Sequence, residues 1–200
     1  MDRSGLINMV KIKLDEYTPE GVSLPFDEYI GPLLDESARD IILQAPLYLF
    51  TPTQIPISSE VIKYENDKAF IPVPVDYMRL YAVKFPLWKK SITLAIQKEN
   101  PEYRIQENEY TAAGYARPFV AIVYKTINET TLRYFECGKV LTNTTPVEAF
   151  YLKSQKPEDL PDIFNESVTY LCSSKIFLVL GQLDKAKLLN DQFVNAINSI

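Results

Sequence analysis

The chain has 200 residues, and its 21 Lys and Arg residues against 26 Asp and Glu residues give a formal net charge of −5. This acidic balance disfavours tight binding to nucleic acids, and the absence of histidine excludes Ser-His and Cys-His nucleophile pairs and histidine-ligated zinc sites. The sequence contains no glycine-rich phosphate loop and no apolar run long enough to cross a membrane, so we expect a protein that stays in the cytoplasm of the cell that makes it.

The first segment, residues 1–59, is predicted to be helical. Leu6, Val10, Leu14 and Tyr17 recur at spacings of four and three, as on one face of a helix. Val10, Ile12 and Leu14 also alternate as they would in a strand, so both structures stay open here. Residues 18–21 are typical of a turn.

A second apolar stripe predicts a longer helix, and its members are Ile30, Leu34, Ala38, Ile41 and Ala45. Pro32 suits the first turn of this helix and Pro46 its end. The opposite face carries Asp35, Glu36, Arg39 and Asp40. Because Glu36 and Asp40 are like charges four residues apart, we expect a solvated surface there rather than a metal site.

Residues 60–153 are predicted to form a mostly antiparallel, β-rich subdomain. Turn residues, among them 66–67, 111–114 and 128–129, separate the predicted strands. The predicted strands span residues 60–64, 69–73, 78–85, 102–105, 119–124, 131–136 and 148–152. Tyr and Phe are abundant in this segment. With so little positive charge beside them, they favour core and subunit-interface packing over the stacking of bases or sugars.

Residues 71–90 are the most distinctive part of this subdomain. Pro72 and Pro74 predict an extended, edge-like approach rather than a central strand, and residues 78–85 then alternate as a strand. Asp76 and Arg79 are interpreted as an ion pair, either within one subunit or between neighbours. Trp88, the single tryptophan, is interpreted as an anchor in its own core or against the next subunit.

Residues 154–200 return to a helical pattern. Acids at 158–159 precede an apolar stripe that begins at Phe164, and residues 176–180 are apolar on all sides. We expect that run to be covered by its own core, by a neighbouring subunit, or by both. The last helix keeps Phe193, Ile197 and Ile200 apolar, which indicates either a docking partner or packing on its own domain.

The predicted fold class is therefore α+β. The N-terminal helices (1–59) and the C-terminal helices (154–200) form a helical bundle core, and the antiparallel β-rich subdomain (60–153) is inserted between them. The two cysteines, Cys137 and Cys172, are expected to be buried thiols, since their spacing does not establish a disulfide.

The order of these segments and three sequence runs carry a resemblance that covers most of the chain. The runs are PVDYMRLYAVKFPLWKKSI, PEYRIQENEY with RPFVAIV, and SVTYLCSSKIFLVLGQLDKAKLLNDQF. With these, the chain resembles the head-to-tail adaptor proteins of short-tailed phages, particularly those of crAss-like phages. The positions that match the family's strand and tryptophan pattern are Pro72, Pro74, Asp76, Tyr77, Met78, Arg79, Leu80, Trp88, Lys89 and Lys90. The family's arginine and proline after the tryptophan are here Lys89, Lys90 and Ser91.

The resemblance implies a structural protein of the virion neck, assembled in the host cytoplasm, with neither catalytic residues nor cofactor or metal. Family members form a ring, usually of twelve copies, beneath the portal protein. Other tail or ring proteins dock on that ring, and packaged DNA passes through its lumen. Repeating the charge of −5 around a ring leads us to expect an acidic lumen along which DNA slides without adhering.

Candidate residues for subunit contacts or docking are Asp76, Arg79, Trp88, Lys89, Phe193, Ile197 and Ile200. Two alternatives to the adaptor stay open at this point. One is another tail or ring protein of the virion. The other is a small-ligand-binding or enzymatic domain, in which acids such as Asp76, Glu102 or Glu136 act as a pair.

Overall fold

The computed structural model describes residues 1–18, 27–57, 61–108, 114–127 and 130–200. The chain divides into two compact units. One is helical and combines residues 1–50 with residues 154–200, and the other is the β-rich unit of residues 51–153. The predicted α+β class is confirmed. The turns predicted at 18–21, 111–114 and 128–129 lie wholly or largely outside the described residues.

The helical unit contains α1, α2, α4 and α5. Their bounds are Arg3–Glu16 (α1), Asp27–Gln44 (α2), Asn165–Val179 (α4) and Leu183–Asn198 (α5), and short 3₁₀ turns lie at Leu47–Leu49, Pro157–Asp159 and Asp162–Phe164. The helical alternative for α1 is confirmed, because Leu6, Val10 and Leu14 are fully buried whereas Ile12 is 58% exposed. Asp2 caps this helix by accepting a hydrogen bond from the Gly5 N–H at 2.9 Å.

The apolar stripe of α2 is buried as predicted, but the position of Pro32 in the first turn was wrong. The helix extends upstream of that stripe to Asp27, so Pro32 lies inside it. Pro32 has no N–H to donate to the carbonyl one turn back.

Helix α4 is the centre of the helical unit and contacts α1, α2 and α5. Phe164, just before it, and Val168, Cys172, Ile176 and Phe177 along it are almost completely buried. Hydroxyl side chains also lie inside. Ser174 donates to the Ala186 carbonyl oxygen of α5 at 2.7 Å, which ties the last two helices together.

The turn between α4 and α5 has a defined geometry. Gly181 lies at φ +72°, a conformation that favours glycine. Its N–H donates to the Leu178 carbonyl oxygen at 3.0 Å. The N–H of Gln182 donates to the Phe177 carbonyl oxygen at 2.8 Å. These two bonds form a Schellman motif, which ends α4 sharply and lets α5 fold back.

In its described residues, the β-rich unit contains two sheets, one short α-helix, α3 (Pro101–Glu107), and a 3₁₀ turn at Gly114–Ala116. The strands are Thr53–Gln54 (β1), Lys63–Glu65 (β2), Lys68–Pro72 (β3), Tyr77–Lys84 (β4), Ile96–Gln97 (β5), Val120–Ile127 (β6), Thr130–Gly138 (β7) and Glu148–Lys153 (β8). The sheet orders are β1-β8-β4 and β2-β3-β7-β6-β5. Every strand pair is antiparallel except β5 with β6, which confirms the mostly antiparallel prediction.

The two sheets share one core. Ile71 and Phe135 of the larger sheet lie in the same buried cluster as Leu80, Val83 and Tyr151 of the smaller sheet. The other face of the larger sheet is covered by α3, whose Tyr103 packs edge-on against Phe119 at 5.7 Å. The β-rich unit is therefore a sandwich with a helix on its outer side.

One prediction within this unit was wrong, and a second holds only at Pro72 itself. Residues 102–105 belong to α3 rather than to a strand, because Asn100 caps the helix by accepting from the Glu102 N–H at 2.9 Å, and Pro101 starts it. The segment around Pro72 is not wholly edge-like, since β3 lies between β2 and β7. Pro72 itself pairs with Tyr134 of β7 and lies beyond the residues that pair with β2, so its missing donor is tolerated.

Within the described residues, no helix combines the length and apolar character needed to cross a bilayer. Cys137 and Cys172 are both buried free thiols, as predicted. Burial raises the pKa of both, and that of Cys172 reaches about 12.

Candidate interaction surface

Trp88 lies in the core of the β-rich unit. Its side chain is 2% exposed, its ring lies 5.2 Å from that of Phe85, and its indole N–H donates to the Lys139 carbonyl oxygen at 2.9 Å. Of the two interpretations of Trp88, the structure supports the anchor in its own core. A docking role for this side chain conflicts with its burial, because almost none of its surface is available to a partner.

Asp76 lies in the turn before β4 and accepts a hydrogen bond from the Tyr151 hydroxyl at 2.9 Å. Burial first, and then the hydrogen bond and the charge of Asp76, together raise the pKa of Tyr151 to about 12. No ion pair within 4 Å joins Asp76 to Arg79 in the described part of the chain, so the structure does not support the alternative within one subunit, and a pair between neighbouring subunits stays a prediction. Arg79 itself stands opposite Leu152 of β8.

Lys89 follows Trp88 and its side chain is exposed. Its backbone N–H donates to the Tyr115 carbonyl oxygen at 3.3 Å. A contact between Lys89 and another molecule therefore stays a prediction.

The three residues predicted on the last helix differ in exposure. Phe193 is 4% exposed and belongs to the buried face of α5 with Ala186 and Leu189. Ile197 and Ile200 are half-buried. The alternative of packing on its own domain therefore holds for Phe193, whereas Ile197 and Ile200 keep part of their surface exposed and a docking role for them stays a prediction.

The apolar run at residues 176–180 is only half covered. Ile176 and Phe177 are fully buried, but Leu178 is 52% exposed, Val179 is 55% exposed, and Leu183 at the start of α5 is 66% exposed. We call Leu178, Val179 and Leu183 the hairpin tip. The sequence signal for the tip was the run of residues 176–180, which is apolar on all sides. The packing of α4 decides which of these side chains point outward, and the spacing of the residues alone did not predict it.

Two clusters of charge hold the helical unit together. Lys175 of α4 binds both Glu36 at 2.6 Å and Asp40 at 2.5 Å on α2. Burial opposes the charge of Lys175, but the bonds to Asp40 and Glu36 raise its pKa overall. Lys175 of α4 therefore neutralises the like-charge pair Glu36 and Asp40 on α2. The sequence alone did not identify Lys175 as the partner of this pair.

The second cluster surrounds Arg3 of α1. Its guanidinium binds both carboxylate oxygens of Asp35, at 2.7 and 3.1 Å, and one oxygen of Glu158 at 3.3 Å. The hydrogen bond to Asp35 raises the pKa of Arg3. This cluster links α1, α2 and the 3₁₀ turn at Pro157–Asp159.

The acids considered for an enzymatic role have separate partners. Glu136 is 4% exposed; it pairs with Lys68 at 2.6 Å and accepts from the Tyr103 hydroxyl at 3.0 Å to each oxygen. Asp76 binds Tyr151. No hydrogen bond among the described residues joins two of the acids Asp76, Glu102 and Glu136. The arrangement around Glu136 instead fastens α3 to the sheet, because Tyr103 lies on α3.

Comparison with known proteins adds no family to these observations: no protein-family model and no curated protein sequence matches this chain.

Proposed function

We propose that the chain is a structural virion protein and acts as a head-to-tail adaptor. Copies of it form a ring beneath the portal protein in the virion neck, retain the packaged DNA and present a docking surface to the tail or to further ring proteins. The observation that carries the proposal is the hairpin tip, where three large apolar side chains are between 52% and 66% exposed. Exposed apolar side chains that lie together in this way are typical of a surface that contacts another protein rather than of a catalytic site.

The position of the hairpin tip supports a docking role. The Schellman turn at Gly181 fixes the end of α4, and the Ser174 to Ala186 bond holds α5 beside it, so the three side chains are presented by a rigid helix pair. Burying a Leu or Val side chain fully contributes about 1.5–3 kcal/mol, so covering three half-exposed ones contributes about 3 kcal/mol per copy. A ring repeats that contribution at every subunit.

The two sequence observations that favoured the adaptor remain part of the proposal. The strand and tryptophan pattern from Pro72 to Lys90 resembles that of the adaptor family, and Trp88 in it acts as an internal anchor of the fold. The net charge of −5 per copy gives an assembled ring a strongly acidic character. We propose that part of this charge faces the lumen and lets DNA pass.

The direct test is to mix the purified chain with the portal protein of the same phage and measure the mass of the complex by native mass spectrometry. The proposal expects a portal-dependent complex that carries about a dozen copies of the chain in a ring. A chain that binds no portal and behaves as a small species on its own would contradict it and would favour a ligand-binding domain.

The alternative within the virion has a distinct outcome in the same experiment. A chain that forms a ring on its own, does not bind the portal protein and binds only a tail component would be a different ring protein of the neck. Catalytic turnover is not expected in either case.

A further inference from the structure

A concave site lies on the helical unit beside the Arg3 cluster. Its volume is about 420 Å³. Helices α1 and α2 and residues 154–158 line it, and the lining side chains are Arg3, Asp35, Arg39, Ser154, Gln155, Lys156 and Glu158. Every lining side chain is polar or charged. The cavity is therefore suited to a polar or charged group rather than to an apolar one.

The charges in this cavity do not balance internally. Asp35 and Glu158 are both bound by Arg3. Arg39 and Lys156 line the same cavity, and no carboxylate lies within 4 Å of either of them in the described part of the chain. Two exposed cations thus face one concavity in a molecule whose net charge is −5. A negatively charged group placed between them would gain two charge-assisted contacts.

The cavity also contains an incomplete hydrogen-bonding group. The side-chain oxygen of Gln155 is buried and accepts no hydrogen bond. A buried acceptor without a donor is unfavourable, so an occupant that brings an N–H or O–H group satisfies it. A free carboxylate carries no donor, whereas a segment of polypeptide carries a carboxylate side chain and backbone N–H groups together.

We infer that this cavity binds an acidic segment of a second copy of the chain, with a carboxylate between Arg39 and Lys156 and an N–H donor on Gln155. The inference rests on the proposed function in one respect, that copies associate. The acidic balance supplies the argument for the occupant. Each copy carries 26 Asp and Glu residues against 21 Lys and Arg residues, so an acidic segment of a neighbouring copy is available to the two cations that line the cavity.

The test uses the chemistry of Lys156. Equal amounts of unlabelled and ¹⁵N-labelled chain, alone at high concentration and again in the presence of the portal, are treated with a carbodiimide, which joins a lysine amine to a carboxylate that it contacts. Mass spectrometry then identifies the joined peptides. We expect Lys156 to be joined to an aspartate or glutamate of the other isotopic form, which proves a link between copies and names the acid.

Matched variants give a second measurement. The double variant Arg39→Glu with Lys156→Glu should weaken association between copies at least tenfold, as measured by sedimentation. The control, Lys63→Glu with Lys98→Glu, makes the same change of net charge at exposed positions of the β-rich unit and should change association less than twofold. Lys156→Arg keeps the charge but removes the reactive amine, so it should associate normally and give no link.

Several outcomes would overturn the inference. Among them are a link from Lys156 only within its own chain, no link in either sample, and equal effects of the two double variants. Binding of a short DNA duplex that Arg39→Glu abolishes would assign the cavity to phosphate instead. These results are separable from the proposed function, because portal binding without a Lys156 link leaves the adaptor intact, and the link without portal binding leaves the self-contact intact.

Discussion

The indole N–H of Trp88 donates a hydrogen bond to the carbonyl oxygen of Lys139 at 2.9 Å, and this bond joins the segment after β4 to the segment after β7. Lys139 lies at φ +62°, in the left-handed region of backbone conformation, directly after β7 ends at Gly138. The single tryptophan thus connects the end of the smaller sheet's β4 to the end of the larger sheet's β7 inside the β-rich unit, which explains its burial.

We therefore expect Trp88→Ala to destabilise the β-rich unit by about 3–5 kcal/mol, the cost of emptying a large core site. Trp88→Phe keeps much of the volume but leaves the Lys139 carbonyl oxygen without its donor, and should cost less. Urea unfolding followed by circular dichroism measures both variants without relying on the tryptophan signal.

The neighbouring exposed residue provides the control for this prediction. Lys89→Ala should change the free energy of unfolding by no more than about 0.5 kcal/mol. A Trp88→Ala chain with wild-type stability but impaired assembly would show that Trp88 acts at an interface after all.

Gly138 at the end of β7 has a role that its position in the sequence did not reveal. A Cβ atom placed on it would lie 2.0 Å from Cε1 of Phe119. We expect Gly138→Ala to cost about 1–3 kcal/mol, because the buried ring must shift. Differential scanning calorimetry should show a lower Tm.

A double variant tests the cause. Phe119→Leu removes the clashing ring atoms, so Gly138→Ala should cost less in that background, with a coupling of about 0.5 kcal/mol or more. Gly31→Ala is the matched control. The nearest atom to a Cβ on Gly31 would be Nη2 of Arg3 at 3.9 Å, and Gly31 lies in a helix, where alanine is favourable. Strict additivity of the Gly138 and Phe119 changes would exclude the clash.

The sequence predicted the helices of this chain better than its strands, and the reason is visible in β4. Helical spacing at Leu6, Val10 and Leu14 survives intact because a helix is periodic along its whole length. In β4 the register shifts twice, between Tyr77 and Arg79 and between Leu80 and Ala82. The second shift places Leu80 and Val83 on the same buried face, although strict alternation puts them on opposite faces.

The candidate site was harder to predict for a similar reason. Lys175 neutralises Glu36 and Asp40 from more than 130 positions away, and no local pattern encodes such a partner. The helix at Pro101 did have a local signal, because Asn100 and Pro101 are a cap and a first-turn residue.

The burial of Tyr151 and, to a smaller extent, its contact with Asp76 should make stability depend on pH in the alkaline range. Tyr151 has a pKa of about 12 in the folded chain, against about 10 in an unfolded one. Between these values the unfolded chain loses the proton first and so binds fewer protons. The free energy of unfolding should therefore be constant below pH 10 on account of this group, and should fall as the pH rises toward 12.

Two substitutions separate the causes of that slope. Tyr151→Phe removes the titrating group, so the decline between pH 10 and pH 12 should become shallower. Asp76→Asn keeps the burial but removes the charge, and should give an intermediate slope. Urea unfolding at a series of pH values measures all three chains, and an unchanged slope in Tyr151→Phe would assign the alkaline dependence to other groups.

The hairpin tip gives the sharpest test of the docking surface. Replacing Leu178, Val179 and Leu183 by Gln, Thr and Gln removes the exposed apolar surface without emptying the core, because all three side chains are at least half exposed. The free energy of unfolding should change by less than about 1 kcal/mol, whereas portal binding should weaken by about 100-fold, the equivalent of about 3 kcal/mol. Mass photometry of portal mixtures measures the binding.

Leu188→Gln is the matched control, since Leu188 is 47% exposed on the same helix but lies about 140° around the helix axis from Leu183. If Leu188→Gln weakens portal binding as much as the tip variant does, then any apolar-to-polar change on this helix weakens binding, and the hairpin tip is not the docking surface. If the tip variant binds as the unmodified chain does, the partner contacts another face.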